Sequence, residues 1–276
     1  MHSENLTKKF VMSLSKVTIL LPVYNGAETL ARAIHSILNQ TYLDWELLVL
    51  EDGSTDNSLS IAQSFGDVRI HVISDGQHKG IVKRLNQGIQ LSQSQYIARM
   101  DADDVAYPQR LKKQIEFLEA NPNIDLVGTA MRVLDDTGQV LGKRIFSVSH
   151  TPIVSQPWLK TISVAHPTWC GRTEWFQQWL YHEFLHNEDQ ELLLRAHTKS
   201  TYANLPDILV DYYETPSFSK KLMTRWNWIT VLWSFYGQSG YVFPFLGGGM
   251  TVAVKIFWDL LKIIAYKINT FGSLKS

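Results

Sequence analysis

Val17-Thr-Ile-Leu-Leu-Pro-Val23, followed at once by Tyr24-Asn25-Gly26 and an amphipathic run to Leu38, sets the architecture. Seven nearly all-apolar residues without polar alternation read as a strand covered on both faces. From Ala27 to Leu38, helical spacing puts Leu30, Ile34, Ile37 and Leu38 on one face, fit to cover that strand. The pair of signals then repeats. Strands are expected at Trp45–Leu50, Val68–Ile73 and Tyr96–Met100, and helices at Asp56–Phe65, capped by Asp56 or Asn57, and at Ile81–Leu91. Such alternation predicts an α/β fold with a mostly parallel sheet flanked by helices and ligands beyond the carboxyl ends of its strands.

Further along, a helix is expected from Pro108 to about Glu119, then two strands, Leu126–Leu134 and Gln139–Phe146, joined at Asp135-Asp136-Thr137-Gly138. Helical pattern returns at Thr173–Trp179 and Glu188–His197, and Ile208–Tyr213 reads as a last strand. Residues 147–165 show no usable period.

Composition excludes several classes. The chain has 276 residues, 45% of them apolar, enough for a large core and too many for a disordered protein. Lys and Arg number 26 and Asp and Glu 26, so there is no basic field for nucleic acid. Cys170 stands alone, which fits a reducing compartment, and the apolar stretch Phe10–Leu14 is too short for a signal-peptide core. A cytoplasmic location is the expectation.

Three acidic clusters fall where the sheet presents a ligand. Glu51-Asp52-Gly53-Ser54-Thr55-Asp56-Asn57 follows the second strand; Gly53 permits a tight turn and Asp52 offers oxygens to a base or ribose, the plainer reading being a turn and helix cap. Asp101-Ala102-Asp103-Asp104 follows the fourth. Its carboxylates raise one another's pKa unless a cation neutralises them, and hard oxygen ligands suit Mg²⁺ or Mn²⁺ carrying a diphosphate. A solvated acidic loop is the alternative. Glu188-Asp189 opens a helix, whose N-terminus is expected to hold a carboxylate ionised, the state a general base needs. A merely charged first turn would look the same.

Taken in order, these pieces resemble the family 2 glycosyltransferases, inverting enzymes of the GT-A fold and, here, of the bacterial surface-polysaccharide type. The likeness rests on Val17-Thr-Ile-Leu-Leu-Pro-Val-Tyr-Asn25, Ala33-Ile-His-Ser-Ile-Leu-Asn-Gln-Thr-Tyr42, Leu50-Glu-Asp-Gly-Ser-Thr-Asp-Asn57, Lys79-Gly80-Ile81 through Asn86-Gln-Gly-Ile89, and Met100-Asp-Ala-Asp-Asp104 with Pro108-Gln-Arg-Leu111. It implies that Asp52 contacts the nucleotide base while Pro22, Tyr24 and Glu51 line the nucleotide pocket. It further implies that Asp101 lies near the ribose, that Asp103 is the divalent-metal ligand, and that Asp189 is the catalytic base. His166 and Glu188 fall on the acceptor side, His166 being equally readable as a packed histidine. Lys83 or Arg84 reaches the phosphates, or is a solvated helix charge. Glu51 stands where the family often has Asp, and no Gln-x-x-Arg-Trp follows Asp189, which favours single addition over polymerisation.

Two other readings compete. Asp101-Ala-Asp103-Asp104-Val105 also fits the Asp-x-Asp pattern of haloacid-dehalogenase-like phosphatases, though three strand-helix units precede it here. A non-catalytic glycan-binding protein on the same fold is the other.

The chain divides at residue 217. Residues 1–216 form the expected GT-A domain. Residues 217–276 carry seven basic side chains and one acidic, and no charge at all falls between Trp226 and Val254. Gly237, Gly240, Pro244 and Gly247-Gly-Gly249 argue against one spanning helix. From Thr251 to Tyr266, Lys255, Asp259 and Lys262 make one polar stripe on an otherwise apolar helix, and with Trp226, Trp228 and Trp233 this describes a helix lying in a membrane interface. Packing on the domain or on a second subunit, giving a homo-oligomer, is the alternative. The combined expectation is an inverting transferase on the inner face of the cytoplasmic membrane. It would move one sugar from a nucleoside-diphosphate sugar, UDP favoured, to a polyprenyl-linked glycan acceptor with Mn²⁺ or Mg²⁺.

Overall fold

A computed structural model describes residues 15–157, 159–183, 187–214, 223, 227–232 and 235. In chain order the first half comprises β1 (Val17–Val23), α1 (Leu30–Leu38), β2 (Trp45–Glu51), α2 (Ser58–Gln63), β3 (Ile70–Ile73), α3 (Ile81–Leu91), β4 (Tyr96–Arg99) and β5 (Val105–Ala106). The second half comprises α4 (Arg110–Ala120), β6 (Leu126–Leu134), β7 (Val140–Arg144), α5 (His150–Val154), a 3₁₀ turn at His166–Thr168, β8 (Cys170–Arg172), α6 (Thr173–Gln178), α7 (Glu188–Ala196) and β9 (Tyr202–Tyr213).

The sheet runs β3-β2-β1-β4-β8-β6-β9-β5, with β7 paired to β6. Its first four strands are parallel, as the strand-helix alternation requires. Beyond β4 the sheet changes character: β8 is antiparallel to both β4 and β6, and β9 returns parallel to β6. The expected mostly parallel α/β sheet is present, and its antiparallel pairs fall beyond β4.

Each parallel strand feeds two cores. Val17, Ile19, Leu21 and Val23 of β1 point to the layer holding Leu30, Ile34 and Ile37 of α1. Leu20, between them, points to the other layer with Leu85 and Ile89 of α3, Trp169, Trp175 and Phe176. Burial on both faces is why β1 and β2 read as continuous apolar runs. Trp228, Val231 and Leu232 are buried in this second core, at 6%, 0% and 0% exposure. Trp228 was expected at a headgroup level; it is instead a packed core residue. Trp226, Trp233 and the amphipathic stretch Thr251–Tyr266 lie outside the described residues. Among the described residues no helix is long and apolar enough to cross a membrane.

Local chemistry moved several boundaries. Helix α1 starts at Leu30 and not Ala27, because the Asp56 carboxylate takes the Ala27 N–H (3.0 Å) and holds residues 26–29 as a turn. Asp56 also accepts from the Ser58 amide (2.9 Å) and hydroxyl (2.6 Å), so it, and not the N-cap Asn57, caps α2. The turn between β6 and β7 forms as expected, with the Asp135 side chain accepting from the amides of Thr137 and Gln139. Strand β9 begins six residues earlier than expected, at Tyr202. Its pairing with β6 jumps from Leu205 to Ile208, leaving Pro206 and Asp207 as a bulge that interrupts the strand signal.

Candidate active site

The loops after β1, β2 and β4 leave the same end of the sheet and are tied together by their own polar side chains. Glu51, 1% exposed at the end of β2, accepts from the Ser54 amide (2.5 Å) and the Ser74 hydroxyl (2.6 Å). Burial alone would raise its pKa, but these hydrogen bonds outweigh burial and hold it low. Asp52 is 4% exposed and binds the loop that enters α3: Oδ1 accepts from Lys79 N (2.7 Å) and Arg84 Nε (2.9 Å), Oδ2 from Gly80 N (2.9 Å). Arg84 is fully buried and also donates to Asp75 (2.7 Å) and the Gln77 carbonyl (2.6 Å). Gly53 makes this junction possible. Its φ is +69°, and a Cβ there would sit 2.6 Å from the backbone carbon of Gln77.

Above this base, the Tyr24 ring packs against His78 with centroids 4.1 Å apart and remains 47% exposed. A cavity of about 460 Å³ opens beside it, lined by Pro22, Tyr24, Asp56, Asp101 and Asp103 among others.

A second cavity, of about 870 Å³, lies on the other side of Asp101. Its walls include Arg99, His166, Glu188, Asp189, Tyr212 and Trp228. Asp101 belongs to both cavities, so the acidic loop is their shared edge.

That loop is held from below. Arg99, the last residue of β4, is 3% exposed and pairs with Asp101. The buried Arg110 donates to the Arg99 carbonyl (2.6 Å). From the side, Arg32 donates to the Asp103 carbonyl (2.9 Å) and stacks on the Tyr213 ring (3.8 Å), while the Tyr213 amide donates to Asp104 Oδ1 (3.1 Å). Carboxylate oxygens of Asp101, Asp103 and Asp104 lie within 4.8 Å of one another. Burial, with the charges of Asp101 and Asp103, pushes the Asp104 carboxyl up to about 8. Asp103 is open to solvent at its tip, yet the protein mass around it and then the Asp101 charge also raise its pKa. Asp104 Oδ2 is buried without a hydrogen-bond partner. An orphaned oxygen among crowded carboxylates is the donor set a hard divalent cation takes, so these residues fit a metal.

Across the larger cavity, α7 starts from Asn187, whose φ of +66° swings Glu188 and Asp189 inward. Asp189 stands in the first turn of this helix, as expected. Burial raises its pKa above the usual Asp value, against hydrogen bonds from Gln190, and burial with the Asp189 charge does the same to Glu188. His166 Nε2 lies 2.7 Å from the Tyr181 hydroxyl, and burial followed by the Arg99 charge holds its pKa well below the usual value, so the ring is neutral. Asn86 of α3 fixes Tyr181 by bonding both its amide (2.9 Å) and its carbonyl (2.8 Å).

The structure thus brings Pro22, Tyr24, Asp101 and Asp103 to one cavity and Asp101, His166, Glu188 and Asp189 to the other. Glu51 and Asp52 stand behind the first as buried braces. Lys83 reaches neither cavity; it is half exposed and pairs with Glu183 at 3.1 Å. Arg84, read from the sequence as a phosphate contact or a solvated helix charge, is a buried brace bonded to Asp52 and Asp75. Arg99 and Tyr181 were not anticipated. The one sequence signal for Arg99 is a charge inside the otherwise apolar run Tyr96–Met100.

A family model described as glycosyl transferase family 2 matches residues 18–180. The chain belongs to this family. Among relatives, it is 40% identical over 145 residues to the putative glycosyltransferase EpsE of Bacillus subtilis (strain 168), a match covering 51% of this chain and 50% of EpsE. It is 32% identical over 127 residues to the UDP-Glc:alpha-D-GlcNAc-diphosphoundecaprenol beta-1,3-glucosyltransferase WfgD of Escherichia coli, covering 46% of this chain and 49% of WfgD. These matches span about half the length of those relatives. A solved structure of S. aureus TarS residues 1–349 with UDP superposes with a TM-score of 0.62 at 20% identity, over 79% of this chain and 65% of that one. The family 2 chain therefore has the GT-A fold: a curled sheet, parallel in its first half, with the acidic loop at its carboxyl edge.

Proposed function

We propose that this family 2 chain is an inverting glycosyltransferase that moves one sugar from a nucleoside-diphosphate sugar, UDP favoured, to a hydroxyl of a lipid-linked glycan. The observation that carries this reading is the position of Asp101 in the walls of two cavities. One cavity bears Tyr24 and Asp103, the other Asp189, and chemistry that joins two molecules needs such a shared edge. UDP is favoured because TarS is described in complex with UDP and with UDP-GlcNAc, and the lipid-linked acceptor because WfgD's name specifies one.

In this account the Tyr24–His78 pair offers an aromatic shelf to the base, with Pro22 beside it, while Glu51 and Asp52 fix the loops beneath. Asp101, held by Arg99, faces the ribose. Asp103, with Asp101 and Asp104 close by, would hold Mn²⁺ or Mg²⁺. Bound there, the cation supplies charge neutralisation for the leaving diphosphate.

Asp189 removes the proton from the acceptor hydroxyl as that oxygen attacks the anomeric carbon from the face opposite the leaving group. One C–O bond forms as the other breaks, so the centre inverts without a covalent enzyme intermediate. Burial that raises the Asp189 pKa makes it a stronger base than a solvated aspartate. Glu188 and the neutral His166 border the acceptor. Lys83 is assigned no part in donor binding.

A panel of nucleoside-diphosphate sugars, read by nucleoside-diphosphate release with Mn²⁺ or Mg²⁺ and a chelator control, tests the reading. At least one donor is expected to turn over and the chelator to abolish it. Phosphate release from a phosphomonoester, with no sugar nucleotide consumed, would replace the reading with the phosphatase.

A further inference from the structure

We infer that Arg144 is the acceptor-side phosphate contact: its guanidinium holds the diphosphate of a lipid-linked glycan, and the first hydrocarbon beyond it passes over Ile145 and Val148. This rests on the reading of the larger cavity as the acceptor side. It adds the residues that would tell a lipid-linked acceptor from a free sugar.

Two arginines stand in the wall of that cavity, and they differ. The Arg99 side chain is 4% exposed, and both its terminal nitrogens go to Asp101, so its charge is already matched. Arg144 ends β7, opposite Met131 of β6, and its side chain is 41% exposed. Its guanidinium carbon lies 5.1 Å from the centre of the Tyr212 ring, and Nη2 donates to Glu214. One carboxylate does not use up the five N–H donors of a guanidinium, and that planar fork matches phosphate oxygens.

Arg144 is also set apart from the proposed base. After burial, the charges acting on Glu188 are those of Asp189, Arg99 and Asp101, whereas on Tyr212 the first charge after burial is that of Arg144. A phosphate beside Glu188 and Asp189 would be repelled; beside Arg144 it is attracted. That separation suits a sugar whose reacting hydroxyl and diphosphate sit on different carbons of one ring.

The chain around Arg144 is apolar and open. Ile145 is 69% exposed and Val148 52%; with Val140 and Leu141 they make four of the ten exposed large apolar side chains among the described residues. Among the described strands β7 pairs with β6 alone, so no further strand covers its outer edge. Single exposed apolar residues are ordinary, but four within nine positions mark a contact surface. A reachable cation beside exposed hydrocarbon matches a prenyl diphosphate, which carries charge and chain in the same order.

The test uses the full chain saturated with UDP and Mn²⁺, which fills the donor site, and two probes, farnesyl diphosphate and inorganic diphosphate, with affinity read by titration calorimetry. Farnesyl diphosphate should bind the wild type more tightly than inorganic diphosphate. Arg144→Gln should weaken farnesyl diphosphate about tenfold, the loss expected for one charge-assisted hydrogen bond, with UDP affinity unchanged. Glu214→Gln breaks the same ion pair but frees the guanidinium, so it should bind farnesyl diphosphate as tightly as the wild type or more so. A purely structural Arg144–Glu214 pair would instead weaken both variants alike. That result, wild-type affinity in Arg144→Gln, or farnesyl diphosphate binding no tighter than inorganic diphosphate would each overturn the contact and leave the transferase reading standing. Failure of the wild type to bind UDP would remove that reading, and this inference with it.

Discussion

At the scale of single residues, His166 shows what the site demands of its members. Its ring sits 2.7 Å from the Tyr181 hydroxyl, against Trp169, and burial with the nearby Arg99 charge depresses its pKa. An unfolded histidine titrates near ~6.5. Below that pH the unfolded chain binds a proton that folded His166 refuses, so its stabilising contribution is present above ~6.5 and is lost as the pH falls beneath it. His166→Asn does not titrate there. Melting temperatures measured from pH 7.5 to 5 should fall more steeply for the wild type than for the variant; parallel curves would mean a solvated, ordinary histidine.

The acids of the site were legible in the sequence because carboxylates clustered just past a strand have few structural uses. Asp101 and Asp103 were read that way, and Asp189 as part of the acidic start of a helix. Arg99 and Tyr181 were hidden, since their importance comes from contacts between segments far apart in sequence. The direction of the Asp189 shift was hidden too: the helix start is visible in the sequence, while the burial that raises its pKa is not.

At the scale of elements, the parallel half of the fold could be read because each strand is covered on both faces and each helix presents one apolar stripe. The second half resisted for identifiable reasons. Strand β8 has only three residues, β9 is broken by the Pro206 bulge, and α5 is a five-residue helix too short to show a period.

The join between the loops after β2 and β3 yields a sharp prediction. Gly53→Ala places a Cβ 2.6 Å from Gln77 C and 2.7 Å from His78 N at a positive φ. Backbone strain of this kind costs ~1–3 kcal/mol, and the clash adds to it. Gly76→Ala, also at positive φ but with open space around it, should cost less. Thermal melts should rank the two, and UDP titration should show weaker binding for Gly53→Ala alone. Equal effects would contradict the loop junction.

At the scale of the whole molecule, the balance of 26 basic against 26 acidic residues conceals an acidic domain followed by a basic, aromatic stretch. The start of that stretch is part of the domain, as Trp228, Val231 and Leu232 lie in its core. Any membrane contact falls to later residues, where Lys255, Lys262 and Lys267 punctuate an apolar sequence. In flotation with anionic liposomes, removal of residues 236–276 should abolish recovery of the protein, and equal recovery with and without them would withdraw the membrane reading.

The central claim is that Asp189 takes the proton while the acidic loop holds the donor, so the two tasks separate. The most direct measurement is the sugar-transfer rate of Asp189→Asn at saturating donor and Mn²⁺, with UDP binding measured on the same preparation. The account predicts unchanged UDP affinity and a rate lowered by ~10²–10⁴, the usual contribution of a general base. Full turnover by Asp189→Asn, with nucleotide bound as in the wild type, would contradict it.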